Sequence, residues 1–135
     1  MKYPLIIGFL SLIAVTYGYP QEVVNWRDLA DVEFELQYVK EYDTRMMMPI
    51  FGETPRSYEG KEVVITGYII PLDSKMTMYV LSRYPYASCF FCGGAGQESI
   101  VELWLKPEFI KRYRMDDQIT FKVKLKLNDT DINHF

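Results

Sequence analysis

The chain has 135 residues, 49% hydrophobic and 16% aromatic, with 11 tyrosines and a net charge of −3. That is enough chain for one domain with a buried core, and its mildly acidic balance argues against nucleic acid as a partner. Aromatic side chains pack well on a pleated surface, so the composition suits a sheet-rich fold.

Residues 1–18, MKYPLIIGFLSLIAVTYG, carry one Lys at position 2 and an apolar run from Leu5 to Val15. The run falls short of the ~20 apolar residues of a membrane-spanning helix. Its layout predicts a secretory signal, with a retained membrane anchor as the other reading. Removing it takes away one Lys and no acid, which leaves a net charge of −4. The expected mature chain is a single domain, 19–135, with an N-terminal extension over 19–59 and a core over 60–127. Export also changes how the cysteines read, because outside the cytosol a thiol pair is oxidised unless a metal or a reductase keeps it open.

Asn25 is placed to cap a short helical turn, Trp26 to Ala30, with Trp26 and Leu29 inward. Val32, Phe34, Leu36 and Tyr38 alternate with polar residues, which predicts a half-buried strand. Pro49, Gly52 and Pro55 make 41–56 read as irregular. After Gly60 a strong strand is expected over 62–72, apolar on both faces, with Gly67 marking a bulge or bend. A turn at Asp73-Ser74 leads to a second strand, 75–82, and a third is expected over 98–105. Pro107 suits the first position of a short helix that puts Phe109, Ile110 and Tyr113 on one side. In the last strand Ile119, Phe121, Val123, Leu125 and Leu127 face one way and Thr120, Lys122, Lys124 and Lys126 the other.

Strand, strand, strand, short helix, strand is the order of an OB-fold with its closing strand missing. The expected class is therefore mainly β, a small OB-fold-like β-barrel with one short helix, closed by the early strand 32–39. A small β-sandwich is the alternative.

Both cysteines lie in YPYASCFFCGGAGQE, residues 84–98. The phrase Gly60-Lys61-x-Val63-x-Ile65-x-Gly67-Tyr68-x-x-Pro71-Leu72, followed by Ala87-Ser88-Cys89-Phe90-Phe91-Cys92-Gly93, resembles an uncharacterised family of small exported bacterial proteins. The resemblance covers about residues 25–135 and carries no established activity. It implies a place in the periplasm or on the outer side of a bacterial envelope. It also implies a neighbourhood of transporters that respond to zinc supply, and a further apolar segment beyond position 135.

The C-x-x-C spacing aims two sulfurs at one tetrahedral ion, and Gly93 and Gly94 free the backbone for the turn. Zinc wants four ligands, so Glu98, Glu102 and His134, or a second copy of the loop in a homodimer, are candidates to complete the set. The alternatives are a structural disulfide between Cys89 and Cys92 and a thiol–disulfide exchanger. The exchanger lacks the helix start that lowers a reactive thiol's pKa. Tyr84, Tyr86, Phe90 and Phe91 around the loop either form a surface for an envelope or transporter protein or cap an open end of the barrel. Met46, Met47, Met48, Met76 and Met78 are soft donors suited to Cu(I), or plain gap-fillers of a core. No catalytic residue stands out: the single His is near the end of the chain, which removes Ser-His-Asp logic.

Overall fold

The computed structural model describes residues 21–86 and 95–134. Positions 1–18 of the expected signal, and Cys89, Phe90, Phe91 and Cys92, lie outside the described residues. The fold is mainly β with two short helices: a mixed five-stranded sheet and a separate two-stranded hairpin.

The elements follow in chain order. Strand β1 (Glu22–Val23) leads into helix α1 (Trp26–Leu29), where the Asn25 N–H donates to the Asp28 carboxylate at 3.1 Å, half of a capping box. Strands β2 (Val32–Val39) and β3 (Thr44–Phe51) pair antiparallel over their full length. Helix α2 (Glu53–Tyr58) starts on Asp31, whose carboxylate accepts the Thr54 N–H at 3.1 Å. Then come β4 (Glu62–Pro71), β5 (Tyr79–Ser82), β6 (Ile100–Leu103) and β7 (Gln118–Lys124).

Strand β4 organises the sheet. One edge pairs with β7 from Glu62 to Tyr68; the other meets β1 in parallel at Val63 and Val64 and β5 from Tyr68 to Pro71. Strand β6 pairs with β5. The main core lies on the face of β4 that carries Val63, Ile65 and Ile69, packed with Tyr79, Leu81, Leu103, Tyr113, Leu125, Val24 and Leu29. Ile70 and Val80 form a small second cluster with Leu72, which explains why β4 is apolar on both faces.

Several expectations are corrected. No closed barrel forms among the described residues, because β2 turns back onto β3 and pairs with neither free edge of the sheet. The segment 41–56 is not irregular: it holds β3 and α2. Pro49 is tolerated because a two-stranded ribbon leaves β3 an edge that needs no N–H. Register with β7 runs through Gly67 without a skipped residue, so there is no bulge there. The glycine is needed for close approach instead: a Cβ would lie 2.6 Å from the Ser82 carbonyl oxygen and 2.9 Å from Cζ2 of Trp26. The Trp26 indole crosses at this point and donates to the Thr66 carbonyl at 2.7 Å.

Strand β5 is also shorter than expected, since Asp73 folds 73–78 into a turn. Its carboxylate accepts the N–H groups of Thr77 (2.7 Å) and Met78 (2.9 Å) and the Thr77 hydroxyl (2.8 Å). Met76 sits there at φ 56°, so Met76 and Met78 do not share a strand face. After Pro107 only one 3₁₀ turn forms, Pro107–Phe109; Phe109 and Ile110 are exposed and Tyr113 alone turns inward.

The Asp73 turn gives a pH prediction. Hydrogen bonds from Met78 N–H first, and then from Thr77, hold the Asp73 carboxyl below the ordinary aspartate range. A carboxylate depressed in the folded state contributes stability that is complete above its unfolded pKa, near ~4, and is lost as pH falls through the folded value. Urea midpoints are expected to drop between pH 5 and 2, and to drop less in Asp73→Asn. An identical pH profile in the two proteins would refute the assignment.

Candidate functional site

The C-x-x-C segment connects β5 to β6, and the structure places both of its stems. On the outgoing side the Arg83 N–H donates to the Ser99 carbonyl at 2.8 Å, and the Tyr84 N–H to Ser82 Oγ at 3.1 Å. The Tyr86 N–H donates to Asp116 Oδ1 at 2.7 Å. Asp116 stands at φ 66° in the turn before β7, and its own N–H reaches the Ile69 carbonyl at 2.9 Å. On the return side Gln97–Ser99 form a 3₁₀ turn, with the Ser99 N–H on the Gly96 carbonyl at 3.0 Å. Ser82 and Ser99 are buried with their hydroxyls engaged at this base. The outgoing stem is thus bonded to the return turn through backbone, and to β5 and the Asp116 turn through the side chains of Ser82 and Asp116.

The candidate residues separate into two places. Tyr84 is half-buried under the Arg83 guanidinium, 5.1 Å from its ring centroid, while Tyr86 is exposed. Glu98 lies in the return turn and not in the strand expected over 98–105, which spans only Ile100–Leu103. Glu102, in the middle of β6, instead meets His134: Nδ1 lies 3.0 and 3.1 Å from the two carboxylate oxygens. Trp104 Nε1 donates to the same carboxylate at 2.9 Å, and its ring meets the imidazole edge-on at 5.2 Å.

His134 is held there by a turn that the polar sequence of 128–134 hides. The Asn128 amide donates to the carbonyls of Asp131 (2.6 Å) and His134 (2.8 Å), and Asn128 Oδ1 accepts the Asp131 N–H at 2.9 Å. Asn133 Nδ2 reaches the Tyr42 hydroxyl at 3.1 Å, which ties this turn to the β2–β3 connection. Hydrogen bonds from the Asn133 N–H and amide, aided by the charges of His134 and Lys126, lower the pKa of Asp131. His134 is exposed, and the turn together with Glu102 fixes its position. The signal available in sequence was the Asn128/Asp131 pair, an Asx-type turn.

Between the hairpin, the start of β6 and residues 125–134 lies a cleft of about 430 Å³. Its walls include Phe34, Met46, Met48, Ile100, Leu125 and Ile132, and His134 stands at its margin. The volume is that of an ordinary small-ligand site. Among the described residues, no three side chains of His, Cys, Asp or Glu gather to hold a metal ion. The lysine row behaves as solvated surface: Lys122 pairs with Glu62 at 3.1 Å, and Lys126 lies 6.0 Å from the Trp104 ring centroid. No family model, curated protein or solved structure matches the chain.

Proposed function

We propose that this chain is an exported OB-like β domain that binds zinc through the Cys89 and Cys92 thiolates, for handling or delivery to a partner in the envelope. The observation that carries the reading is the clamped base of the connection. Both thiols lie within the segment 87–94, between stems that leave β5 and enter β6 and that bond to each other and to the Asp116 turn. Two thiolates at C-x-x-C spacing supply half of a tetrahedral set, and Glu98 is the candidate nearest in the chain for a third position. Glu102 and His134 are engaged with each other, so the fourth ligand falls to a second copy of the loop or to the partner that receives the ion. The OB-like part of the reading draws support from β4, which pairs with β5 on one edge and β7 on the other. Export rests on the signal pattern of residues 1–18.

Protein purified from its native compartment is expected to carry one zinc per chain or per dimer, and Cys89→Ser to abolish it, read by elemental analysis with native mass spectrometry. A fully oxidised, metal-free Cys89–Cys92 pair would overturn zinc binding and leave a disulfide-tied loop that presents Tyr86 to another protein. A metal-free dithiol with a reduction potential near that of its compartment would make the chain an exchanger.

A further inference from the structure

We propose that Met46, Met48 and His134 form a second, independent site in the cleft, for one soft monovalent cation of the Cu(I) class. Met46 and Met48 are two apart in β3, so both point to the same face, opposite Gln37 and Glu35 of β2. The burial pattern agrees: Met46 is half-buried, Met47 is 52% exposed and Met48 is 8% exposed. Met48 is buried yet belongs to neither packed cluster of the core. It lines the cleft, as do Met46 and, at the more exposed margin of the strand, Met47. A core methionine used as filler would be packed on all sides, since protein interiors leave few voids.

The third donor reaches the same cleft from the other end of the chain. The bond from Asn133 to the Tyr42 hydroxyl fastens residue 133 to the hairpin connection, and Met46 is the first inward-facing residue of β3 beyond that connection. His134 is then fixed by Glu102, whose carboxylate sits on Nδ1. When the imidazole is neutral and donates its Nδ1 proton to this carboxylate, its lone pair lies on Nε2. This is the usual outer support of a metal-bound histidine, and it raises the ligand's basicity.

The donor chemistry decides the ion. Two thioethers and one imidazole are neutral, and two of the three are soft. Zinc in closed sites takes thiolate, imidazole or carboxylate, and calcium and magnesium take oxygen. Cu(I) is the ion selected by thioether sulfur. A neutral ligand set adds no charge of its own to a cleft whose lining already sets Arg45 and Lys126 against Glu98 and Asp131, so only the single charge of the ion has to be accommodated.

The test uses the full chain with Cys89→Ser and Cys92→Ser, which removes the zinc-site thiols, so that failure of this site and failure of the zinc reading are separate results. Anaerobic titration with Cu(I) against a chromogenic chelator is expected to give one ion per chain. Met46→Leu/Met48→Leu should weaken binding by about a hundredfold, and Glu102→Gln by about tenfold through the imidazole. Leucine keeps the volume of methionine and is among the best-tolerated replacements for it, so thermal melts will separate lost binding from lost folding. In methyl-labelled protein, Ag(I) as the redox-inert probe should shift the Met46 and Met48 methyl resonances and leave Met76 and Met78 in place. No Cu(I) bound by the cysteine-free chain, equal binding by the double-leucine variant, or shifts confined to other methionines would each overturn the proposal.

Discussion

Replacing Gly67 by Ala is expected to cost this domain about 3 kcal/mol, at the upper end of what an overpacked methyl group costs. The reason is where the new carbon goes. A Cβ at position 67 stands 2.6 Å from the Ser82 carbonyl oxygen and 2.8 Å from Cγ of Leu81. The first of these is backbone in the adjacent strand and cannot swing aside as a side-chain tip would. To make room, β4 and β5 must separate at Tyr68 and Ser82, where they pair, or Trp26 must lift from the Thr66 carbonyl it bonds. Gly60 gives the contrast. It has φ +73° and nothing within 4 Å of the place a methyl group would take, so Gly60→Ala meets only the left-handed backbone penalty of about 1–2 kcal/mol. The expected order of urea midpoints is wild type, then Gly60→Ala, then Gly67→Ala, with the last melting ~10 °C or more below wild type. A Gly67→Ala protein as stable as Gly60→Ala would mean that the two strands part freely at this point. The effect reaches the candidate site, because Ser82 Oγ also accepts the N–H of Tyr84 in the outgoing stem of the cysteine segment.

What could be read from the sequence, and what could not, divides along a physical line. Features set by local pattern were legible: the alternation of Ile119, Phe121 and Val123 in β7, the Asn25 start of α1, and the order of the strands after Gly60. Features set by a distant partner were not. Pro49 reads as a breaker until β3 is seen as one strand of a free two-stranded ribbon. Lys75 to Met78 looks like strand until the Asp73 carboxylate collects the backbone N–H groups of Thr77 and Met78. Gly67 reads as a bulge because a one-dimensional sequence cannot show that Trp26, 41 positions earlier, needs the space. At the candidate site, Glu102 and His134 both have the chemistry of metal ligands, but their meeting across 32 positions depends on the Asn128 turn and on Tyr42, which no spacing rule links to them. Cys89 and Cys92, the residues with the clearest chemistry, lie outside the described residues; only their stems have a place in the fold.

The irregular stretch from Trp104 to Asp117 is expected to depend on one side chain, Tyr79. Truncating it to Ala should cost about 3–5 kcal/mol, the range for emptying an aromatic from a core. Tyr79 is 1% exposed in β5, beside Leu103 of β6. Its ring meets Tyr113 edge-on at 5.4 Å, and Tyr113 in turn meets Phe121 of β7 at 6.0 Å, so three aromatics join β5, the 104–117 stretch and β7. The Tyr79 hydroxyl donates to the Lys111 carbonyl at 3.1 Å, a bond whose loss in Tyr79→Phe should cost only ~1 kcal/mol, since Lys111 is exposed and water replaces it. Burial, and then the neighbouring Tyr79, push the Tyr113 phenol above its ordinary pKa, consistent with a ring turned into the core. A double-mutant cycle with Tyr79→Leu and Tyr113→Leu is expected to give a coupling of about 1 kcal/mol; zero coupling would show that the stretch packs without this pair. The consequence for function runs through Asp116. That residue belongs to the turn ending the stretch and accepts the Tyr86 N–H, so loosening Tyr79 should speed hydrogen exchange at Tyr86 before it affects β4. If Tyr86 stays protected in Tyr79→Ala while the global stability falls, Asp116 keeps its place on Ile69 without the aromatic triplet, which then serves the core and not the site.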